Sequence, residues 1–393
     1  MKHEEKLKNL ISKLIATPST SGHEKELAEI IRDKLNEIGF DKVEIDNYGS
    51  VIAIAKGKSD LNILFEGHLD HVPPGNINSW KYPPYNAKIV DDEVYGRGAV
   101  DMKGPITSLL IAMEESLKRE FEMNIQLAFV VHEETVEGEA IKRILEERRL
   151  DKPEVAILIE PTNLNIAIGH RGRSLIKVKL TGKTAHASMP DLGVNAIEAA
   201  SKFIINLRDK LDTNLPTHPI LGKATITPIK IRSQPEGLPQ LPDEAEIILD
   251  RRMIISEDEN SVLKPLTELI NELINSREAL NGSVEIVEEE VNCWTGASMK
   301  VRDFFPAWLM SIEKLESIGI KELMKTMNAK YVIWDFSTDG VYIANSNIKT
   351  LGFGPGNWKM AHQPNEKISL RDMDKAVEGY KKILEVLEVK LAN

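Results

Sequence analysis

A handful of ionisable residues stand at the ends of apolar runs, where neither a core nor a surface role accounts for them easily. His68 and Asp70 follow the run NILFEG in FEGHLDHVPPG, and Asp101 lies in the glycine-punctuated loop YGRGAVDMKG. Glu133 and Glu134 sit side by side after NIQLAFVVH, Glu160 closes EVAILIE against Pro161, and a late His362 lies in GPGNWKMAHQPNE. Singly, each has a plain explanation: a satisfied strand-end histidine, a helix-capping aspartate, solvated glutamates, a partner for a surface lysine. Together they do not, because four acidic groups at neighbouring strand ends repel one another unless cations neutralise them. Mixed imidazole and carboxylate ligands suit Zn²⁺ or a similar divalent transition ion. In an extended segment His68 and Asp70 lie on the same side, which lets the carboxylate hydrogen-bond the second nitrogen of a ligating imidazole.

The elements that must position these groups can be read from periodicity. Apolar residues recur at helical spacing over 4–15 and 24–38, with Ser21 and Gly22 as a cap and Gly39 as a stop. Short β-branched runs follow at 42–45, 51–55, 62–67, 124–132 and 154–160, with helical patterns at 106–118 and 137–147 between the later ones. IQLAFVV and VAILI are apolar at successive positions, which predicts strands covered on both faces and hence an α/β sheet flanked by helices. Open sheets of this kind place ligands just past the carboxyl ends of their strands. From Arg173 the texture changes to alternating strands (RSLIKVKLTG, KATITPIKI, EAEIILDRRM, SVEIVEEE) with helices over 195–211 and 258–275. That predicts a smaller α+β unit, residues 173–291, inserted into a larger unit formed by residues 1–172 and 292–393. The larger unit resumes with YVIWDF, a helix over 338–344, KTLGFGPG and a last helix over 369–389.

At 393 residues, 42% hydrophobic and 28% charged, the chain has the size and composition of a soluble two-domain protein. Its formal charge of −11 repels phosphate backbones and anionic lipid, so neither nucleic acid nor a membrane is an expected partner. No long uninterrupted apolar run and no secretory leader is seen, and the single Cys293 cannot form an internal disulfide, so a cytoplasmic location is expected.

The strings GHLD, GRGAVDMKG, HEE, IEPT, TGKTAHAS, DRR, STDG and GFGPG…AHQPNE occur in the order and spacing of a known family. Over nearly its whole length the chain resembles the co-catalytic zinc hydrolases that include acetylornithine deacetylase, succinyl-diaminopimelate desuccinylase, glutamate carboxypeptidase and aminoacylase. GHRGR, LGKATIT, NCWTGASMK and VIWDFSTDG are most similar to the YgeY-like branch. The resemblance implies a zinc-peptidase-like catalytic domain with a mixed, helix-flanked sheet and an inserted dimerisation or lid domain. It implies two divalent ions, zinc first with cobalt or manganese as alternatives, one held by His68, Asp101 and Glu160, the other by Asp101, Glu134 and His362. Two dications about 3.5–4 Å apart need a shared anion, here Asp101, and can together deprotonate a water between them. Glu133 is then the general base and Asp70 orients His68. By the same resemblance His186 reaches the partner subunit's site in a homodimer and stabilises the oxyanion. The resemblance also implies that Arg252 binds a substrate carboxylate and that Ser337 and Thr338, with Gly354 and Gly356, form a substrate-contacting loop.

Two departures count against a desuccinylase. The stretch PQLP replaces an Asn-x-x-Pro motif, and His170 stands where desuccinylases show an arginine for the succinyl carboxylate. Trp294, Trp334 and Trp358 are further candidates for shaping the pocket. The expected activity is hydrolysis of an amide (N-acyl, N-carbamoyl or peptide) in a small carboxylate-bearing substrate. A dipeptidase or aminopeptidase on the same metals, and a dead metal-binding protein, are the alternatives.

Overall fold

The computed structural model describes residues 1–236 and 239–391. Its larger sheet has nine strands, in the order Lys42–Ile45, Val51–Ala55, Asn124–Val130, Asn62–His68, Val155–Leu158, Lys349–Gly352, Ile166–His170 and Trp308–Leu309, with Tyr331–Trp334 also pairing Ile166–His170. The four strands from Asn124–Val130 to Lys349–Gly352 run parallel, so their carboxyl ends lie along one edge. Every residue of Asn62–His68 and Val155–Leu158 is buried, as their unbroken apolar runs require. The helices Glu4–Ile15, Gly104–Ser116 and Leu370–Leu391 pack on one another and share one hydrophobic cluster with this sheet.

The second sheet is antiparallel, ordered Thr225–Gln234, Glu244–Met253, Gly172–Thr181, Asn281–Ile286, with Phe304–Phe305 pairing Gly172–Thr181 on its way back. Its inner strands alternate buried and partly exposed residues, and the helices Ala196–Asn206 and Glu259–Asn275 close a second apolar cluster around Ile176, Val178, Ile247 and Leu266. The hairpin Glu288–Asn292 and Ser298–Arg302 sends Cys293, Met299 and Val301 into the larger cluster, yet Phe304–Phe305 still belongs to the smaller sheet. The return of the chain is thus spread over residues 288–305, and position 292 falls within the hairpin.

Helix ends fall within a few residues of the periodicity. At the second helix Glu24, not Ser21 or Gly22, is the N-cap; Ser21 instead donates from Oγ to Asp70 Oδ2 at 2.6 Å. Gly39 ends that helix with φ 98°, a left-handed conformation that glycine adopts without strain. Among the described residues no helix is long and apolar enough to cross a membrane.

Candidate metal centre

The parallel strand ends bring the predicted ligands together. His68, the last residue of its strand, is buried, with Nε2 2.9 Å from Asp101 Oδ1 and 3.5 Å from Glu160 Oε1. The half-exposed His362 points Nε2 at Asp101 Oδ2 (3.2 Å) and at Glu134 (3.0 Å). Asp101 thus offers one oxygen to each imidazole. Two three-residue groups result, His68–Asp101–Glu160 and Asp101–Glu134–His362, with the ligand atoms of each group within 4.8 Å of one another.

Each group is fixed by local structure. The loop before Asp101 turns at Gly98, with φ 76°, and the buried Glu366 carboxylate accepts from the backbone N–H of Gly98, Val100 and Asp101 (2.8–3.2 Å) and from Arg97 Nη1 at 2.6 Å. The Asp70 carboxylate accepts from the backbone N–H of Glu133 and of Glu134, at 3.1 and 3.2 Å, which presents both glutamates toward the cleft. Its role toward His68 differs from the expected one: His68 Nδ1 lies 2.9 Å from the Asp70 backbone carbonyl and 3.6 Å from the carboxylate. Asp70 therefore orients the ring mainly through its main chain. Glu133 belongs to neither group and lies 3.9 Å from His68 Nε2.

The electrostatics are those of a buried anionic cluster. Burial, reinforced by Glu160, Asp339 and Glu134, pushes the Glu133 carboxyl well above the usual range although His68 opposes it. Burial likewise raises Glu160 and Glu134. Burial alone would raise Asp101 too, but hydrogen bonds with His362 and His68 hold it below the usual carboxylate range. Hydrogen bonds to Asp101 and Glu134 push His362 up to about 10. Among the described residues no lysine or arginine pairs with Asp101, Glu133, Glu134 or Glu160, and Glu160 Oε2 is buried without a hydrogen-bond partner. A buried anion so placed is costly unless a cation meets it. Imidazole and carboxylate donors in this number fit divalent transition ions.

The model of peptidase family M20/M25/M40 matches residues 64–386. The chain belongs to this family. It is a metal-dependent hydrolase of C–N bonds in amides or peptides. It is 29% identical to the uncharacterized protein YgeY of Escherichia coli K12 over 360 residues, covering 90% of this chain and 87% of YgeY. Its fold matches aminopeptidase PepT of Bacillus cereus (TM-score 0.75, 20% identity, 98% of both chains). It also matches YXEP of Bacillus subtilis, described as a dinuclear metal binding peptidase (TM-score 0.71, 16% identity, 98% of both chains).

In this M20 chain the acids open into a cleft of about 410 Å³ that is also lined by Arg173, Arg252, Phe336, Ser337 and Trp358. Arg252 and Ser337 thus reach it. Thr338 does not: it is buried, and both its N–H and its hydroxyl lie 3.1 Å from His170 Nε2. Gly354 lies behind Glu160, where a Cβ would meet the Glu160 carbonyl at 2.5 Å, and Gly356 turns the same segment with φ 94°. Of the three tryptophans only Trp358 lines the cleft. Trp334 is buried and donates to the Pro161 carbonyl, and Trp294 covers Gly49. His186 is exposed in the smaller unit, bonded to Ser188, and is not brought to the site within this chain. The sequence reading missed Glu366, Arg173 and Glu137. Glu366 lies in the AHQPNE string itself, and Arg173 directly faces Arg252 across the sheet.

Proposed function

We propose that His68, Asp101 and Glu160 hold one divalent ion and Asp101, Glu134 and His362 a second, zinc being the ion this donor mixture favours over cobalt or manganese. The observation that carries the reading is the buried Asp101 carboxylate, aimed one oxygen at each imidazole. When bound, the ions would polarise the scissile carbonyl and acidify the attacking water. Glu133, free of both ligand groups, accepts that water's proton and delivers it to the leaving nitrogen. Asp70 supports this by holding the Glu133 and Glu134 peptides in place. Arg252 and Ser337, lining the same cleft, bind a carboxylate of a small N-acyl, N-carbamoyl or peptide substrate.

Glu133→Ala tests the reading: elemental analysis should find both metals retained while turnover falls about 10²–10⁴-fold. Undiminished turnover would refute the role. The substrates for that assay come from a hydrolysis screen of N-acyl amino acids, N-carbamoyl amino acids and dipeptides with zinc, cobalt or manganese.

The reading extends to a cytoplasmic homodimer in which the inserted unit, residues 173–291, lends His186 to the partner's site as an oxyanion donor. Support comes from the edge strand Thr225–Gln234, which leaves the apolar Ile229 and Ile231 exposed where a second copy could cover them. Mixing inactive Glu133→Ala with inactive His186→Ala should restore activity in heterodimers, about a quarter to a half of the wild-type rate being the ceiling for one intact site of two. No recovery despite confirmed subunit exchange would sink the shared site.

A further inference from the structure

Arg173 and Arg252 are directly paired residues on adjacent antiparallel strands, so their side chains leave the same face of the smaller sheet, and both line the cleft. Like charges directly opposite on a sheet are destabilising, so the pair needs a return elsewhere. Arg252 already has an acid partner within the chain, whereas the Arg173 guanidinium is poorly matched. Arg252 lies along Asp250, two residues earlier on its own strand, at 2.9 and 3.2 Å. Arg173 meets both Glu137 (3.3 Å) and Asp303 (3.4 Å) through the single atom Nη2, while its Nε is buried with no partner. Glu137 Oε2 is itself buried without a hydrogen bond. The Phe305 ring lies 5.3 Å from the Arg173 guanidinium and limits where it can turn. Beside them Ser337 Oγ, also on the cleft wall, is buried without a partner. Unused guanidinium and hydroxyl donors lining the cleft are complementary to carboxylate oxygens, which its acidic groups would repel.

We propose that Arg173 is a second anion anchor beside Arg252, so that the substrate carries two carboxylates on the fragment seated against the smaller sheet, while its scissile amide faces the metal ligands. The substrate class is an N-acyl or N-carbamoyl derivative of a short amino-dicarboxylic acid, in which the amide is formed on nitrogen and both carboxylates stay free. This rests on the amide-hydrolase reading only in locating the substrate in this cleft. The anchor itself is tested by equilibrium binding.

Calorimetric titration with glutarate and with valerate, equal in chain length but differing by one carboxylate, reads the anchor in zinc-loaded and in chelator-stripped protein. The wild-type protein should bind glutarate at least about tenfold more tightly than valerate. Arg173→Gln should weaken glutarate about tenfold and valerate less than about twofold, and Arg173→Lys, which keeps the charge but loses the fork, should fall between. A strut that only ties Glu137 to Asp303 would leave the glutarate-to-valerate ratio unchanged in these variants, and that result would overturn the proposal. Glu137→Gln retains Arg173 and removes a competing anion, so glutarate should bind severalfold more tightly; weaker binding there would also overturn it. Loss of the ratio in Arg173→Gln together with full turnover in Glu133→Ala would leave the anchor standing and remove the catalytic assignment.

Discussion

On the wall built by the nine-stranded sheet, charge sits at the ends of strands buried on both faces; on the wall built by the five-stranded sheet, it sits one residue in from a strand end, at the partly exposed positions of an alternating pattern. Asp101, Glu133 and Glu160 are each under a tenth exposed and, among the described residues, form ion pairs with histidines alone, whereas Arg173 and Arg252 keep a fifth or more of their side chains exposed and lean on acids of their own. A buried carboxylate without a cation costs several kcal/mol, so the first wall is tolerable only as a rigid site for a positive ligand. A long arginine buries its stem and keeps its head near water, so the second wall adapts cheaply to different anions. The difference separates two tasks: fixed geometry where bonds break, adjustable charge where the substrate is recognised.

The sharpest way to break that contrast is to loosen the rigid wall without touching a ligand. Glu366 accepts from three successive-loop N–H groups and from Arg97, and burial pushes its carboxyl up to about 7 despite that arginine. Glu366→Gln places an amide N–H where one of these donors now points. Metal affinity should drop about 10–100-fold and folding stability by about 2–4 kcal/mol. Competition with a calibrated chelator and denaturant unfolding of the metal-free protein measure the two effects. If affinity holds while stability falls, the loop around Asp101 is fixed by something other than Glu366.

The same contrast explains what could be read from sequence. His68, Asp101, Glu133, Glu134 and Glu160 interrupt apolar runs, and an acid that ends a doubly buried strand has no inexpensive explanation other than a ligand. Arg173 occupies a polar position of an alternating strand, where solvent is the ordinary partner, and only the register opposite Arg252 reveals that this face is a cleft wall. Thr338 and Gly354 do not line the cleft: a serine–threonine pair and a glycine loop announce a turn without announcing which way it faces. Most strands of the larger sheet are legible, since β-branched runs mark them; Ile166–His170 and Trp308–Leu309 are not, being short and set among glycine, histidine and tryptophan. The return from the smaller unit was not, because the hairpin Glu288–Asn292 and Ser298–Arg302 carries alternating residues yet packs on the larger cluster.

A smaller effect lies where the two walls join. The strand Ile166–His170 lies in the larger sheet, and two residues later Gly172–Thr181 begins in the smaller one. His170 is buried there between Trp308 and Trp334, its Nε2 accepting from the Thr338 N–H and its Nδ1 facing the Arg171 carbonyl at 2.8 Å. That pattern requires the neutral ring: a second proton on Nε2 would oppose the Thr338 N–H. Burial, aided by the Arg252 charge, lowers its pKa from 6.5 to about 4. Because the folded value lies below the unfolded one, the stability tied to the neutral ring is present above pH 6.5 and is lost as pH falls toward 4. The loss from this group amounts to at most about 3 kcal/mol. His71, which burial also lowers to about 4, titrates in the same window. Denaturant unfolding of the metal-free protein should therefore show a shallower fall between pH 6.5 and 4 in His170→Gln than in the unmodified chain, with the His71 share remaining. Identical slopes would mean that His170 meets water in solution, and the seam between the rigid and the adaptable wall would then be open.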